Sequence, residues 1–411
     1  MATLINISIG LHPDQIGGAY RVAAGLGDAL ADQGHTVLSV APGTRRGTRT
    51  MERRTHHLVH RYGHDGSGGM QGLLLHWQAV RSLTRQLIRS HRPDAVIAHF
   101  PTLGLAAFDI PEAAALPRIY GFYGPLGREY RATHQQSAGI RSLAYQGMAR
   151  LLDMIEHRAL RRATGIYILS EFSRTQLAGV HPSLGRNALL VRPGIDAASF
   201  PAPTKPKAYY RKLHGLPQDG TLLLPVRRLD RRMGLDLLLE ACGRLAPSHP
   251  DLRCVLVGDG PCRGELQEQA KSLGIEDRVY FAGRVPEEDL PDYYHASDLF
   301  VLPTRALEGF GMVILEALAS GVPVLGTPIG AIPEVLAPLD ARLVLPGTSA
   351  QAIATGIQQF MSDPASRPIP EQCRAYALGR YRWEQLARDV LELTLAGQVR
   401  AVDTDAVPGN G

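Results

Sequence analysis

The sequence predicts an α/β protein made of two Rossmann-like domains facing across a cleft. Three observations carry that prediction. Short apolar runs rich in Leu, Val and Ile alternate with helical stretches along nearly the whole chain, the pattern of a parallel sheet covered by helices on both faces. The alternation breaks at a basic, proline-punctuated stretch, "TKPKAYYRKLHGLPQDG", and then begins again. A chain of 411 residues with 45% hydrophobic content suits two or three domains, each with its own core, better than one large sheet.

The first domain is expected over 1–198. Its start, "MATLINISIG", has no basic n-region and no cleavage pattern, so it reads as a strand over residues 3–9 and not as a signal peptide. Gly17 and Gly18 open a helix from about 19 to 33, and Gly34 closes it before the strand "TVLSV". Further strands follow in "SHRPDAVIAHF", "LPRIYGFYG", "RRATGIYILS" and "ALLVRPGID". The second domain, 199–378, repeats the scheme in "TLLLPV", "RCVLVGDG", "RVYFAGRV", "LFVLPT", "PVLGT" and "ARLVLP". A last helix within 379–397 could pack on either domain, crossing back to the first, and the tail 398–411 has the composition of a disordered segment.

Composition narrows the class of function. No apolar run approaches the roughly 18 residues of a membrane span, which makes the cytoplasm the expected location. The four cysteines form neither a C-x-x-C pair nor a zinc spacing, as expected of reduced, buried thiols. A net charge of +5 is compatible with anionic partners such as a nucleotide or a lipid headgroup. No interleaving of aromatic and basic residues points to nucleic acid.

The stretch "ALEGFGMVILEALASGVPVLG" carries the most chemistry. Apolar residues at Met312, Val313, Leu315, Leu318 and Ala319 recur at helical spacing, so a helix is expected to start near Gly311. Glu308 then lies in the preceding loop and Glu316 more than one turn into the helix. Gly309 and Gly311 let backbone approach a ligand at a helix N-terminus, where free N–H groups attract an anion. The combination suits a phosphorylated ligand that also carries hydroxyls.

Other motifs are more ambiguous. "VGDGPCRGEL" departs from a dinucleotide fingerprint, because Gly264 stands one position late and the next strand ends in Gly283-Arg284 rather than an acid. It reads equally as a phosphate-binding turn or a tight strand-to-helix turn. "LPVRRLDRRMG" places Arg227, Arg228, Arg231 and Arg232 at a strand's carboxyl end, where a guanidinium could grip phosphate. His99 follows a buried strand and, read alone, is a satisfied structural histidine. His56, His60 and His64 have no flanking carboxylate pair and read as a mobile surface loop rather than a metal site. "GGMQGLLLHWQAVRSLTRQLIRSHR" is apolar on one side and basic on the other, consistent with a packed helix or with a peripheral contact at the inner face of a membrane.

Taken together, the motifs resemble the retaining glycosyltransferases of family 4, whose fold is the two-Rossmann GT-B arrangement. The resemblance runs from Gly17-Gly18 and "GHTVLSV" through "SEFSRTQL", "RPGID", "VGDGPCRGEL" and "RVYFAGRVP" to the E-x7-E stretch and "GVPVLGTPIGAIPEV". It implies that Glu308 bonds hydroxyls of a donor sugar, with Gly309, Phe310 and Gly311 beside it. The N–H groups of Met312 and Val313 would receive the diphosphate, and Glu316 would take the ribose hydroxyls. Arg228 would neutralise the leaving group, Gly17 and Gly18 would approach it from the first domain, and His99 would reach the transferring sugar. Gly283, Arg284 and Val285 would flank the base. One departure stands out: where the family has a lysine before the glycine of the arginine loop, this chain has Met233-Gly234. A thioether cannot stabilise developing charge. Arg231 or Arg232 could substitute, or Arg228 could act alone.

The resemblance further implies a UDP- or GDP-linked sugar donor, no cofactor and no metal, with the departing phosphate oxygen taking the acceptor's proton. The acceptor, a glycan, lipid-linked saccharide or small molecule, is expected against the first domain. There "YGFYGPLGREYRATHQQ" follows a strand and offers Tyr123, Gly124, Arg128 and Glu129. The alternatives are a nucleotide-sugar-binding protein with little or no catalysis, which Met233 favours, and a GT-B sugar-nucleotide epimerase.

Overall fold

The structure, a computed structural model, describes residues 1–15, 17–43, 50–54, 57–63, 69–134 and 139–403. The chain divides into two units, one of Met1–Gly194 with Arg382–Gly411 and the other of Ile195–Tyr381.

The first unit is built on an eight-stranded sheet in the order β3-β4-β2-β1-β5-β6-β7-β8. Its strands are β1 (Thr3–Ile7), β2 (Thr36–Pro42), β3 (Thr50–Arg53), β4 (Leu58–Tyr62), β5 (Ala95–Ala98), β6 (Arg118–Phe122), β7 (Gly165–Ile168) and β8 (Leu189–Leu190). Every pair is parallel except β3 with β4. The central strands are fully buried, Leu4, Ile5, Val96 and Ile97 among them, as a sheet covered on both faces requires. The helix Gly18–Asp32 begins at the Gly17-Gly18 pair as expected.

The β3–β4 hairpin corrects the reading of a mobile histidine loop. Residues 55–56 and 64–68, and with them His56 and His64, lie outside the described residues, but His60 is part of β4, paired with Val40 of β2. Val59 is buried, and the buried Arg61 reaches Asp14 and Glu52 at 2.5 Å each, so ladder bonds and ion pairs fix a segment whose histidines mask its alternation. The C-terminal helix, Trp383–Asp403, belongs to the first unit and packs on Gly18–Asp32. Its Trp383 ring fills the space above Gly25, where a Cβ would come within 2.7 Å of it. That helix continues six residues past the expected end at 397, into the segment expected to be a disordered tail, and residues 404–411 lie outside the described part.

The second unit carries a five-stranded, all-parallel sheet in the order β11-β10-β9-β12-β13. Here β9 is Leu222–Leu224, β10 Arg253–Val257, β11 Val279–Gly283, β12 Leu299–Leu302 and β13 Val324–Gly326. "ARLVLP" does not form the strand expected of it. Asp340 accepts the Arg342 N–H at 2.9 Å and starts a 3-10 turn over Ala341–Leu343, leaving a single bridge between Val344 and Gly326. Among the described residues no helix is long and apolar enough to cross a membrane.

Each sheet reverses its strand order once, between β1 and β5 in the first unit and between β9 and β12 in the second. Ligands of open parallel sheets bind at the carboxyl edge of such reversals. In the second unit the loops there touch main chain to main chain. Gly234 has φ 70°, and a Cβ on it would lie 1.9 Å from the Pro303 carbonyl oxygen at the end of β12. Gly234→Ala would therefore meet both left-handed backbone and rigid backbone opposite. It should destabilise the protein by about 2 kcal/mol or more. A thermal melt unchanged from the parent would show that the two loops do not meet as described.

Candidate active site

In the second unit the chain leaves β9 through Pro225 and Val226 into the four arginines. Two hydrogen bonds fix this loop against the β10 turn: the Arg227 N–H donates to Val257 O at 2.9 Å and the Leu229 N–H to Asp259 O at 3.0 Å. Gly258 and Gly260 exist for that approach. A Cβ on Gly258 would stand 1.9 Å from Arg227 O, and one on Gly260 2.4 Å from Leu229 O. Of the two readings of "VGDG", the tight turn is the one that accounts for its glycines. Gly283 ends β11 beside it, its carbonyl accepting the Gly258 N–H at 2.7 Å, with Arg284 exposed and Val285 half-buried just beyond.

The four arginines have different surroundings. Arg228 is exposed, and its side chain makes no hydrogen bond or ion pair among the described residues, although its carbonyl accepts the Asp230 N–H at 2.9 Å. Arg231 pairs with Glu265 at 2.8 Å, and Arg232 donates to the Leu307 carbonyl at 3.2 Å. Arg227 turns inward: its Nη2 lies 2.6 Å from Glu308 Oε2 and against the Met233 sulfur.

After β12 the chain passes Leu307, a non-glycine residue at φ 57°, a strained conformation of the kind that clusters at functional sites. Glu308 follows, and the Thr304 hydroxyl donates to its Oε2 at 3.2 Å. The Glu308 carbonyl accepts the Ala331 N–H at 3.0 Å, and Gly330, at φ 61°, leaves room for it. Gly311, at φ 85°, ends the loop as N-cap of the helix Met312–Ala319, which has no side-chain cap. The N–H groups of Met312 and Val313 have no helical carbonyl behind them and point out of the helix start. Glu316, inside that helix, is buried and accepts the Tyr294 hydroxyl at 3.0 Å. Phe310 packs edge-on to Tyr381, its ring centroid 5.8 Å away. Glu308, Gly309, Phe310, Gly311, Met312, Val313 and Glu316 thus share one loop and helix, with the arginine loop alongside.

In the first unit the carboxyl end of β5 holds a buried, polar set of side chains. His99 is enclosed, with Nε2 2.6 Å from Asn6 Oδ1 and Nδ1 2.5 Å from the Tyr123 hydroxyl. Asn6 uses its amide N–H on Ala23 O at 2.9 Å, so its oxygen must accept, and His99 carries its proton on Nε2. Nδ1 then accepts from Tyr123, with the Tyr167 hydroxyl 2.9 Å from that of Tyr123 and 3.1 Å from Nδ1. Burial lowers the His99 pKa to about 3 and keeps the ring neutral. Burial, then the Tyr167 neighbour, raises that of Tyr123 well above the phenol range. Both ring nitrogens of His99 are engaged inside its own unit, as the satisfied-histidine reading expects. Sequence reasoning missed Asn6 and Tyr167, whose polarity inside apolar strands was the available signal.

Tyr123 is therefore part of the histidine network, while Gly124, Arg128 and Glu129 lie around the start of the helix Leu126–Thr133. Arg128 reaches Gln176 at 2.9 Å, and Glu129 lies beside Gly124. Beneath this helix start, Glu156 accepts the Leu126 N–H, and its Oε1 has no partner. On the amphipathic helix Gly69–His91, Arg85 and Arg89 both pair with Glu112, and Leu74 and Leu75 are exposed.

Each unit is thus Rossmann-like, and the E-x7-E loop lies at the strand-order reversal of the second. The description "Glycosyltransferase Family 4" matches residues 16–199, and "Glycosyl transferases group 1" matches 207–380. The chain belongs to this family of glycosyltransferases. It is 31% identical over 260 residues to a GDP-mannose-dependent alpha-(1-6)-phosphatidylinositol monomannoside mannosyltransferase of Mycolicibacterium smegmatis, covering 60% of this chain and 67% of that one. To a D-inositol 3-phosphate glycosyltransferase of Corynebacterium urealyticum it is 34% identical over 212 residues, half of each chain. The matched segments thus span two thirds and one half of these relatives' lengths. In fold it is similar to a sucrose-phosphate synthase from Thermosynechococcus elongatus, with a TM-score of 0.77, 22% identity, and coverage of 98% of this chain and all of that one.

Glu156 provides a pH test of the first unit. Burial, reinforced by Asp153 and Glu129 and opposed by the Leu126 N–H, raises its pKa from 4.5 to about 8. The folded protein thus holds a proton that the unfolded chain releases, and Glu156 makes stability fall as pH rises from about 4.5 through 8. Glu156→Gln removes that dependence. Relative to the parent, the variant should gain roughly 3 kcal/mol of stability between pH 5 and pH 8, read from urea unfolding at the two values. A difference that does not change with pH would exclude a buried, protonated Glu156.

Proposed function

We propose that the chain is a retaining glycosyltransferase that moves a hexose from a UDP- or GDP-linked donor to an acceptor hydroxyl. The observation that carries this reading is Glu308, held in place at the uncapped start of the helix Met312–Ala319, with the unpaired Arg228 on the neighbouring loop. A carboxylate with a free oxygen accepts hydrogen bonds from sugar hydroxyls, while helix N–H groups and a free guanidinium attract the diphosphate.

In the proposed reaction the bond from the anomeric carbon to the β-phosphate oxygen breaks. The acceptor oxygen bonds to that carbon on the same face, and its proton passes to the departing phosphate oxygen. Negative charge grows on the leaving diphosphate, and Arg228 with the Met312 and Val313 N–H groups stabilises it without a metal. Glu316 takes the ribose hydroxyls, and Gly283, Arg284 and Val285 line the base. Gly17 and Gly18 are assigned to the diphosphate. His99, enclosed as it is, acts through the orientation of Tyr123 and the backbone around it. The acceptor is a saccharide, a lipid-linked sugar or a small polyol, and Gly124, Arg128 and Glu129 are assigned to it. The phosphoinositol-based acceptors in the names of the two relatives support a phosphorylated or lipid-linked polyol.

A panel of UDP-, GDP- and ADP-sugars, with GDP-mannose first, tests the reading through release of nucleoside diphosphate. Release with at least one donor supports a transferase. Binding without turnover under every acceptor would favour a non-catalytic binding protein, and interconversion of sugar isomers would favour an epimerase. Arg228→Ala should lower turnover about 100-fold while changing the donor's Michaelis constant much less, because charge on the leaving group peaks at the transition state. Equal turnover would remove Arg228 from the mechanism. Glu316→Ala should weaken nucleotide binding by roughly 1.5–3 kcal/mol for each ribose bond lost. An unchanged dissociation constant in calorimetry would refute the ribose role.

A further inference from the structure

Arg227 stands next to the residue assigned to the leaving group, yet its surroundings give it a different task. Its side chain is 7% exposed and that of Glu308 11%, so the pair lies out of bulk water, where one hydrogen-bonded contact fixes geometry firmly. Nη2 of Arg227 and the Thr304 hydroxyl both donate to the same carboxylate oxygen, Oε2, at 2.6 and 3.2 Å. Neither reaches Oε1.

A second feature distinguishes Arg227 from Arg211. Arg211, in the same unit and equally buried, has every nitrogen bonded: Nε to Ala296 O, Nη1 to Gln218 O and Gly220 O, and Nη2 to Asp298. Arg227 is held through Nη2, and its buried Nε has no partner. Arg61 of the first unit also leaves its buried Nε unpaired, but two carboxylates, Asp14 and Glu52, hold it, whereas Arg227 meets a single one. Its one charged partner among the described residues is Oε2 of Glu308, with the Met233 sulfur and, at 3.5 Å, the Thr304 hydroxyl beside the same Nη2.

We propose that Arg227 is a positioning residue for the donor sugar, pinning Oε2 of Glu308 so that Oε1 faces the sugar hydroxyls. The inference rests on the donor-site reading above and deepens it. Arg228 and the helix start serve the phosphate, and the Arg227–Glu308 pair serves the sugar. The two functions divide between adjacent arginines.

The test compares two affinities in each variant: that for the sugar nucleotide accepted in the panel and that for the nucleoside diphosphate alone. In Arg227→Met, sugar-nucleotide affinity should fall about tenfold or more while diphosphate affinity stays within about twofold, since only the sugar contact is lost. Arg227→Lys keeps the charge without the planar fork and should recover part of the loss. Adding Arg227→Met to Glu308→Gln should cost little beyond Glu308→Gln alone, because both changes act through one carboxylate. Equal loss of both affinities would overturn the proposal in favour of a phosphate or general structural role, and so would no loss of either. Should Arg227→Met fail to fold, Arg227→Lys decides: a selective loss of sugar-nucleotide affinity supports the proposal, and parental affinity for both ligands overturns it. A parent protein that binds diphosphate and sugar nucleotide equally, without turnover, would sink the donor-site reading itself, a result distinguishable from failure in the variants alone.

Discussion

The second unit depends on one constraint: β9 lies between β10 and β12, all three running the same way. Parallel pairing brings the carboxyl ends of these strands to a common edge, so the loop after β9 and the loop after β12 must leave the sheet side by side. They can do so only if their backbones touch. Gly234 is their contact point, and Gly258 after β10 and Gly330 after β13 meet the same two loops, each of the three lacking the Cβ that would strike a carbonyl at 1.9 to 2.2 Å. The Arg227–Glu308 pair is a consequence of this packing. It joins residues 81 positions apart because main chain, rather than side chains, sets the spacing of the loops that carry them.

Much of the architecture was legible because parallel strands buried on both faces leave an obvious trace. "TLLLPV", "RCVLVGDG" and "LFVLPT" are continuous apolar runs ending in turn residues, and each became a strand. Legibility failed where polar residues carry a strand or apolar ones do not. The β4 segment "LVHRY" buries an arginine through two carboxylates, which no local pattern announces, whereas "ARLVLP" looks like a strand until Asp340 caps its first turn. Placement of the last helix on the first unit depends on room for Trp383 over Gly25, a contact between the two ends of the chain.

The site shows the same division. Spacing alone indicated that Glu308 precedes a helix that Glu316 lies within, because helical periodicity and glycine chemistry are local properties. Spacing could not say which of the adjacent Arg227 and Arg228 turns inward, since their side chains leave an irregular loop in different directions. Nor could it decide between the structural and ligand-facing readings of His99, because the Asn6 amide that fixes its tautomer lies on another strand.

The reversal points of the two sheets are built from different chemistry. In the first unit a neutral histidine, two phenols and an amide satisfy one another in a closed set, and burial excludes charge from it. In the second unit charge is retained but sorted. Arg231 is paired with an exposed glutamate, Arg232 braces the strained Leu307 carbonyl, Arg227 is committed to Glu308, and Arg228 alone of the four is uncommitted. Four residues of one type within six positions therefore differ in what each already touches. A cation satisfied by the protein can orient a neighbouring group but has little left to offer a ligand, and an unsatisfied one can do the reverse. In the proposed reaction, which recognises a sugar and releases a diphosphate, one of each would act, and this loop holds them side by side.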